Sequence, residues 1–271
     1  MLRREPPAAR HARDARRLEA LSLDEVGDPQ GAPVVYLHGG GDSRLSRHPD
    51  DSIAAALGVR LLAVDRCGPA RRLPSLRAWG EGLAAALPVE RFGVVGWSAG
   101  GPHALALAAA APERVTRVAL VGSMPPPDLT RHLAREVRAV MRVARVSPRL
   151  AARSLERWGR KPTPPTGHPS TDEAYARGRV ESFRHGGLWL ARELAYLGRP
   201  WGFDVAEVTA PVTLWWGERD RVCLPPIAEA YLERLPRAEL RLVDDTHQLL
   251  FTRWGEILAD AAGRDVAGDS P

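Results

Sequence analysis

Cysteine is scarce in this sequence of 271 residues, which contains only Cys67 and Cys223. Two isolated cysteines without a CxxC pair indicate neither a disulfide framework nor a zinc site. Long apolar runs are also missing, since no stretch approaches the ~18 consecutive apolar residues of a transmembrane helix. The first residues lack the apolar core of a secretory signal. We therefore expect a soluble cytoplasmic protein with no membrane association and no metal.

Lysine is rarer still, because Lys161 is the only lysine among 38 basic residues. The formal net charge is +5, and a basic balance can indicate a nucleic-acid partner. The charge is unevenly placed: residues 1–17 carry +4, residues 124–204 carry +7, and the remaining residues carry −6. No nucleic-acid-binding motif accompanies these charges. We therefore predict no nucleic-acid partner, and we interpret residues 1–17 as a disordered basic arm and residues 264–271 as a tail.

Hydrophobic residues make up 44% of the chain, which suffices for a sizeable core. Short apolar runs typical of strands buried on both faces alternate with segments that suit helices. The runs cover residues 33–37, 59–64, 92–97, 115–121, 211–216 and 240–243. This alternation predicts an α/β fold, a mostly parallel sheet with helices on both faces. A short strand pair is expected around Leu23 and Val26, and a final helix over residues 248–262.

The alternation is interrupted between residues 123 and 204, where no comparable apolar run occurs. We interpret this segment as a helical cap inserted into a core made of residues 18–122 and 205–263. The stretches of the segment that suit helices are residues 131–145, 172–184 and 187–197. Ligands of parallel sheets bind at the carboxyl ends of the strands, so functional residues are expected there.

The segment GWSAG, residues 96–100, fits the pattern G-x-S-x-G. It follows an apolar run and precedes a helical stretch, which is the strand–turn–helix setting of a nucleophile elbow. Such a turn strains the backbone of its serine, and the flanking glycines let neighbouring chain approach closely. Ser98 is therefore the candidate nucleophile.

A serine hydroxyl needs a base that removes its proton and a carboxylate that orients the base. His247 comes shortly after the run 240–243, and Asp220 follows the run 211–216. The chain order Ser98, Asp220, His247 is one of the known orders of a catalytic triad. Alternatives for the acid are Asp128 and Glu218. The remaining candidates are interpreted as structural histidines and inert thiols: His38, His103, His185, Cys67 and Cys223.

Glycines also follow the first buried run, in the segment His-Gly-Gly-Gly of residues 38–41. Backbone N–H groups in such a loop can point into a site and stabilise an oxyanion. We predict that the oxyanion hole consists of the N–H groups of Gly40 and Ala99.

Taken together, the sequence resembles the α/β-hydrolase superfamily in five segments: VVYLHGGGDSRL, LLAVDRCG, RFGVVGWSAGGPHALALAAAAPERVTRVALVG, LWWGERDRV and DDTHQLLF. They are most similar to bacterial serine hydrolases that carry HGxPGSR, DRPGxGxS and GWSxGGP signatures and a helical cap. In that family the matching Ser, Asp and His form the catalytic triad. The sequence departs from the family where Gly41 and Asp42 replace Pro-Gly and where Cys67 replaces Pro. These changes alter the expected shape of the mouth of the site.

The resemblance implies a hydrolase without a cofactor, which cleaves an ester, thioester or related acyl bond of a small molecule through an acyl-enzyme. It argues against branches that need Asp at the elbow, such as haloalkane dehalogenases and epoxide hydrolases. Two alternatives stay open: a biosynthetic acyltransferase or cyclase, and a ligand receptor that keeps the fold without hydrolysis. The oligomeric state is left open.

The insertion is expected to select the substrate, which is either an apolar acyl compound or an anionic one. Its aromatic side chains are candidates for lining an apolar pocket. They are Trp158, Phe183, Trp189, Tyr196, Trp201 and Phe203. A stripe of arginines is interpreted as a solvated helix face, with attraction of an anionic substrate as the alternative. The stripe consists of Arg131, Arg135, Arg138, Arg142 and Arg145.

Overall fold

The computed structural model of the chain describes residues 22–66 and 75–264. Within those residues, seven β-strands form one sheet. They are β1 (Leu23–Gly27), β2 (Ala32–Leu37), β3 (Val59–Val64), β4 (Phe92–Trp97), β5 (Val115–Val121), β6 (Val212–Gly217) and β7 (Ala238–Val243). Their order is β1-β3-β2-β4-β5-β6-β7, with β1 antiparallel to β3 and the other pairs parallel. The predicted fold class is confirmed.

The central strands are continuous apolar runs because the core covers both faces of the sheet. Every residue of β4 and β6 is buried, as expected for parallel strands between two helical layers. The register pairs Trp97 with Val121 and Val121 with Trp215. The carboxyl ends of β4, β5 and β6 therefore lie side by side at one edge of the sheet.

Ten α-helices and two short 3-10 helices complete the described part of the chain. The α-helices are α1 (Asp51–Ala56), α2 (Leu76–Ala86), α3 (Gly100–Ala110), α4 (Arg135–Val146), α5 (Pro148–Gly159), α6 (Pro169–Ser182), α7 (Leu188–Leu197), α8 (Pro226–Arg234), α9 (Leu249–Thr252) and α10 (Trp254–Ala261). The 3-10 helices are Pro127–His132 and Val205–Glu207. None of these described helices is long and apolar enough to cross a membrane.

The segment between β5 and β6 contains four α-helices, α4 to α7, and no strand among its residues, all of which are described. Local sequence sets some of the helix boundaries. The side chain of Ser147 accepts a hydrogen bond from the N–H of Leu150, and Pro148 occupies the first position of α5. Both are standard devices for starting a helix, and they separate α5 from α4.

Three local expectations were wrong. The strand pair expected around Leu23 and Val26 is a single strand, β1, which lies antiparallel to β3 with Leu23 opposite Val64. The helix expected from residue 131 begins at Arg135, because Leu133 bridges the backbone of Cys223 instead. The expected final helix is divided into α9 and α10 at Arg253, whose φ of −114° is not helical. The predicted arm, residues 1–17, and residues 265–271 of the predicted tail lie outside the described residues.

Candidate active site

Ser98 lies in the turn between β4 and α3. Its φ of 52° makes it the one non-glycine residue with positive φ in residues 22–66 and 75–264. Such a conformation costs about 1–3 kcal/mol and persists only where the surroundings enforce it. Here the N–H of Ser98 donates to the carbonyl of Val121 at 2.9 Å, and its own carbonyl accepts from Gly101 at 3.0 Å and Met124 at 2.9 Å. Contacts with the neighbouring strand end thus hold the strained turn.

Two glycines around Ser98 permit this turn because other parts of the chain pass close to them. A Cβ on Gly100 would lie 2.1 Å from the carbonyl oxygen of Leu37, and a Cβ on Gly96 would lie 2.6 Å from Cβ of Ala104. Both distances are shorter than Cβ contacts in real structures, so a side chain would push α3 away from the sheet. The spacing of the motif is thus explained by packing as well as by backbone strain.

His247 and Asp220 are hydrogen-bonded to each other at the neighbouring strand ends. Nδ1 of His247 donates to Oδ2 of Asp220 at 2.7 Å. The second carboxylate oxygen accepts from the N–H groups of Val222 at 2.7 Å and Cys223 at 2.9 Å. Both side chains are buried. Because Nδ1 faces the carboxylate, Nε2 is the ring nitrogen that can accept a proton.

His247 and Asp220 pack closely against the ends of β4 and β5. Gly122, with a φ of +47°, follows β5, and a Cβ on it would lie 3.0 Å from Oδ2 of Asp220 and 3.1 Å from Nδ1 of His247. The indole N–H of Trp97 donates to the carbonyl of His247 at 3.1 Å. The residue before Ser98 therefore fixes the loop that carries His247.

Gly40 and Ala99 are neighbours at the same cavity as Ser98. A Cβ on Gly40 would lie 3.3 Å from Cβ of Ala99, and both residues line the cavity together with Ser98 and His247. Neither backbone N–H donates a hydrogen bond to any described residue. Two N–H groups of this kind beside a serine hydroxyl have the arrangement that stabilisation of an oxyanion requires.

Arg66 holds the loop before Gly40. Its guanidinium donates to the carbonyl of His38 at 2.7 and 3.1 Å and to that of Gly39 at 2.9 Å. It is also hydrogen-bonded to the carboxylate of Glu193 on α7. Nδ1 of His103 lies 3.2 Å from the same guanidinium. Burial lowers the pKa of both His38 and His103 well below the ordinary value, so both rings are neutral.

The alternative acids are exposed, unlike the buried pair of Asp220 and His247. Asp128 is exposed and forms a salt bridge of 2.7 Å with Arg234. Glu218 and His185 are also exposed. Within the described ranges, no group of three or more His, Cys, Asp or Glu side chains is arranged to hold a metal ion.

A cavity of about 420 Å³ lies over Ser98 and His247. Its far walls come from the segment of residues 123–204 between β5 and β6, which we call the insertion. The lining residues there include Val137, Val140, Leu155, Trp158, Leu190 and Leu194. Of the six aromatic residues singled out in the sequence, all of them described, only Trp158 is a lining residue. Cys223 also lines the cavity but is fully buried, and burial raises the pKa of its thiol well above the ordinary value. The thiol is therefore protonated and a poor nucleophile. Cys67 lies outside the described residues.

Comparison with known proteins places this geometry in a family. A family model described as alpha/beta hydrolase fold matches residues 32–253. The chain belongs to the α/β-hydrolase fold family. Among curated proteins, the pimeloyl-[acyl-carrier protein] methyl ester esterase of Aromatoleum aromaticum is 39% identical over 95 residues. That match covers 34% of this chain and only 37% of the length of the esterase.

Solved structures of the same fold match nearly the whole chain at low identity. An esterase from Rhodococcus sp. ECU1013 superposes with a TM-score of 0.65 at 22% identity, covering 90% of this chain and 94% of the other. The enol-lactonase of Burkholderia xenovorans LB400 has a TM-score of 0.65 at 16% identity, with coverage of 90% and 96%. At these identities the structural likeness concerns the fold alone.

Two charged residues of this hydrolase-fold cavity stand out. Asp42 is one of the positions at which the sequence departs from the family, whereas no sequence pattern points to Arg179 on α6. Both side chains are buried, and both line the cavity. Burial raises the pKa of Asp42 to about 7, against the opposing attraction of Arg179 and His247. The sequence of α6 has no clear apolar stripe, so it does not indicate which face of the helix is buried.

Proposed function

We propose that this protein is a serine hydrolase that cleaves a carboxylic ester, thioester or related acyl bond of a small molecule. The observation that carries the proposal is the 2.7 Å hydrogen bond between Asp220 and His247 at the cavity that also holds the strained Ser98. A nucleophile, a base and an orienting carboxylate at one cavity are the parts that acyl transfer needs.

In the first step, Nε2 of His247 takes the proton of the Ser98 hydroxyl as Oγ attacks the carbonyl carbon of the substrate. The carbonyl oxygen becomes an oxyanion, which accepts hydrogen bonds from the N–H groups of Gly40 and Ala99. Asp220 stabilises the imidazolium that forms. The proton then passes to the leaving alcohol or thiol, the bond to it breaks, and the acyl group stays on Ser98.

In the second step, a water molecule loses a proton to His247 and attacks the acyl-enzyme. The same two N–H groups stabilise the second oxyanion, and each such donor contributes about 3 kcal/mol in comparable enzymes. Collapse of the intermediate releases the carboxylic acid and returns the proton to Ser98. The partial match to a curated methyl ester esterase supports this choice of reaction.

Turnover of short p-nitrophenyl esters tests the proposal. We expect release of p-nitrophenol by the wild type and a loss of at least about 10⁴-fold in kcat for Ser98→Ala. Ser154→Ala is the matched control, because Ser154 lines the same cavity on α5 without a strained turn. Equal turnover by Ser98→Ala, or no turnover with any ester, would contradict the mechanism.

The same ester assay separates a hydrolase from the two alternatives, a ligand receptor and an acyltransferase. A receptor binds esters without releasing product, whereas an acyltransferase gives a new ester when an acceptor alcohol is added. For a hydrolase, product analysis yields the free acid as the main product with and without the acceptor.

A further inference from the structure

We propose that the substrates of this protein are esters whose acyl chain ends in a carboxylate, and that Arg179 binds that carboxylate. The inference rests on the proposed ester hydrolysis at Ser98 and adds the class of acyl group to it. It depends on the position and burial of Arg179 and on the lack of a salt bridge between Arg179 and any described carboxylate.

Arg179 is held rigidly in the cavity wall. Its guanidinium lies 4.2 Å from the ring centre of Trp158 and 5.1 Å from that of Tyr175. Nη2 donates to the hydroxyl of Tyr175 at 3.1 Å. The preceding residue, Gly178, lets α6 approach Ser46, since a Cβ there would lie 1.9 Å from Oγ of Ser46. The arginine is thus positioned by contacts with both the core and the insertion.

The guanidinium has hydrogen-bonding capacity left. Nε of Arg179 is buried and has no hydrogen-bond partner among the described residues. Arg179 forms no salt bridge with a carboxylate of the described residues, although it is only 3% exposed. Burying a charge without a partner is costly, so such a group favours an anionic ligand. A carboxylate fits best, because its two oxygens match the planar fork of a guanidinium.

The other charged groups at the cavity cancel the charge of Arg179 only in part. Asp42 is the carboxyl whose charge Arg179 and His247 stabilise, and burial raises its pKa to about 7, so near neutral pH it offsets only part of the charge of Arg179. Glu136 is exposed, and Lys161 adds a second positive charge. The electrostatic potential on the insertion side of the cavity therefore favours the binding of an anion.

A second cavity, of about 650 Å³, adjoins the first at Arg179. The two share Lys161, Pro162 and Arg179, and the second is also lined by Arg160. Glu156 lines the second cavity as well, and its carboxylate accepts a hydrogen bond from the N–H of Gly187. Lys161 and Arg179 thus lie where the two cavities meet. An acyl chain remains bound through both steps of the reaction, whereas the alcohol leaves after the first. A buried, rigid anion site therefore suits the acyl part.

A matched pair of substrates tests the inference in the full chain. p-Nitrophenyl hydrogen adipate carries a terminal carboxylate, and p-nitrophenyl methyl adipate is its neutral counterpart. We expect the wild type to prefer the anionic ester by at least about 10-fold in kcat/KM, and Arg179→Gln to reduce that ratio by about 10–100-fold. Arg177→Gln is the control, since Arg177 is exposed on the same helix and lines neither cavity.

Arg179→Lys keeps the charge and loses the fork, so we expect an intermediate ratio. It also serves if Arg179→Gln fails to fold. A wild-type ratio near one, or an Arg179→Gln variant with both rates lowered equally, would overturn the inference and leave a structural role for Arg179.

Binding to Ser98→Ala separates this inference from the proposed reaction. Calorimetry should show methyl hydrogen adipate binding at least about 10-fold more tightly than dimethyl adipate, and the difference should disappear in Ser98→Ala/Arg179→Gln. Equal binding of the two esters to Ser98→Ala would contradict the carboxylate site even if esters are hydrolysed. Selective binding of the anionic ester would support the site even if the wild type proved inactive.

Discussion

The sheet core and the insertion of residues 123–204 contribute different groups to one cavity. The core places Ser98, Asp220 and His247 at adjoining strand ends, where the sheet register and backbone hydrogen bonds fix them. The insertion contributes mostly apolar side chains and the buried cation of Arg179. Core positions are therefore constrained by the backbone, and insertion positions by side-chain contacts.

This difference predicts different consequences of substitution. Changes at the strand ends are expected to affect the chemical step, because they disturb the groups that we propose to act on the reacting atoms. Changes in the insertion are expected to affect which ester is chosen. The link between the two regions runs through Arg66 of the core and Glu193 of α7, and its loss is expected to affect both.

The largest effect is expected within the core, for Asp220→Asn. The amide keeps the shape but no longer stabilises the imidazolium, so kcat with p-nitrophenyl acetate should fall by about 10³–10⁴-fold. Steady-state kinetics measure this. Glu218→Gln is the control, since Glu218 is exposed two residues away. A loss of less than about 10-fold in Asp220→Asn would argue for a different acid.

A smaller effect is expected at the link between the regions, for Glu193→Gln. The substitution leaves the fully buried guanidinium of Arg66 without its carboxylate, which typically costs about 3–5 kcal/mol of stability. Urea unfolding of the wild type, Glu193→Gln and the exposed control Glu173→Gln gives the comparison. Unchanged stability of Glu193→Gln would mean that the two regions are not coupled through this pair.

Asp42 should make stability depend on pH. Its pKa rises from 3.8 to about 7 on folding because of burial. Below both values the carboxyl is protonated in either state, so there is no cost; as pH rises between them, only the unfolded chain loses the proton and the fold is destabilised. The free energy of unfolding of Asp42→Asn, measured relative to that of the wild type, should therefore increase by about 2–3 kcal/mol when the pH is raised from about 5 to about 8. Urea unfolding at both pH values measures it, and a gain that does not change with pH would contradict the burial of a carboxylate.

The smallest effect is expected on the outer surface of the insertion. Arg135, Arg142 and Arg145 of the predicted stripe are exposed, and exposed charges contribute little. Replacing all three by Gln should change the ratio of rates with the anionic and neutral adipate esters by less than about 2-fold. If this triple variant lowered the ratio as much as Arg179→Gln does, the anionic substrate would be attracted by the surface and not by the buried site.

The central strands of the sheet can be predicted from the sequence, because parallel strands that are buried on both faces are continuous apolar runs. The same pattern predicts that Ser98, Asp220 and His247 lie at one edge of the sheet, since each of them follows such a run. Sequence patterns failed where long-range contacts decide the outcome. The late start of α4 depends on the bridge between Leu133 and Cys223, which are distant in sequence.

The burial of Arg179 in the cavity wall could not be predicted from the local sequence either. It follows Arg177 closely on α6, and the two differ only in that Arg179 packs on Trp158 and Tyr175 while Arg177 faces solvent. Nothing in the local sequence distinguishes them. The aromatic residues of the insertion were ambiguous for the same reason, because most of them pack between helices and do not line the cavity.

The central claim, that Ser98 is the nucleophile, is tested most directly by mapping a fluorophosphonate adduct by mass spectrometry. The reagent should add to one residue of the wild type, and the labelled peptide should carry the mass on Ser98. His247→Ala should react far more slowly, because the hydroxyl then lacks its base. An adduct on another residue, or no adduct on a folded wild-type protein, would contradict the account.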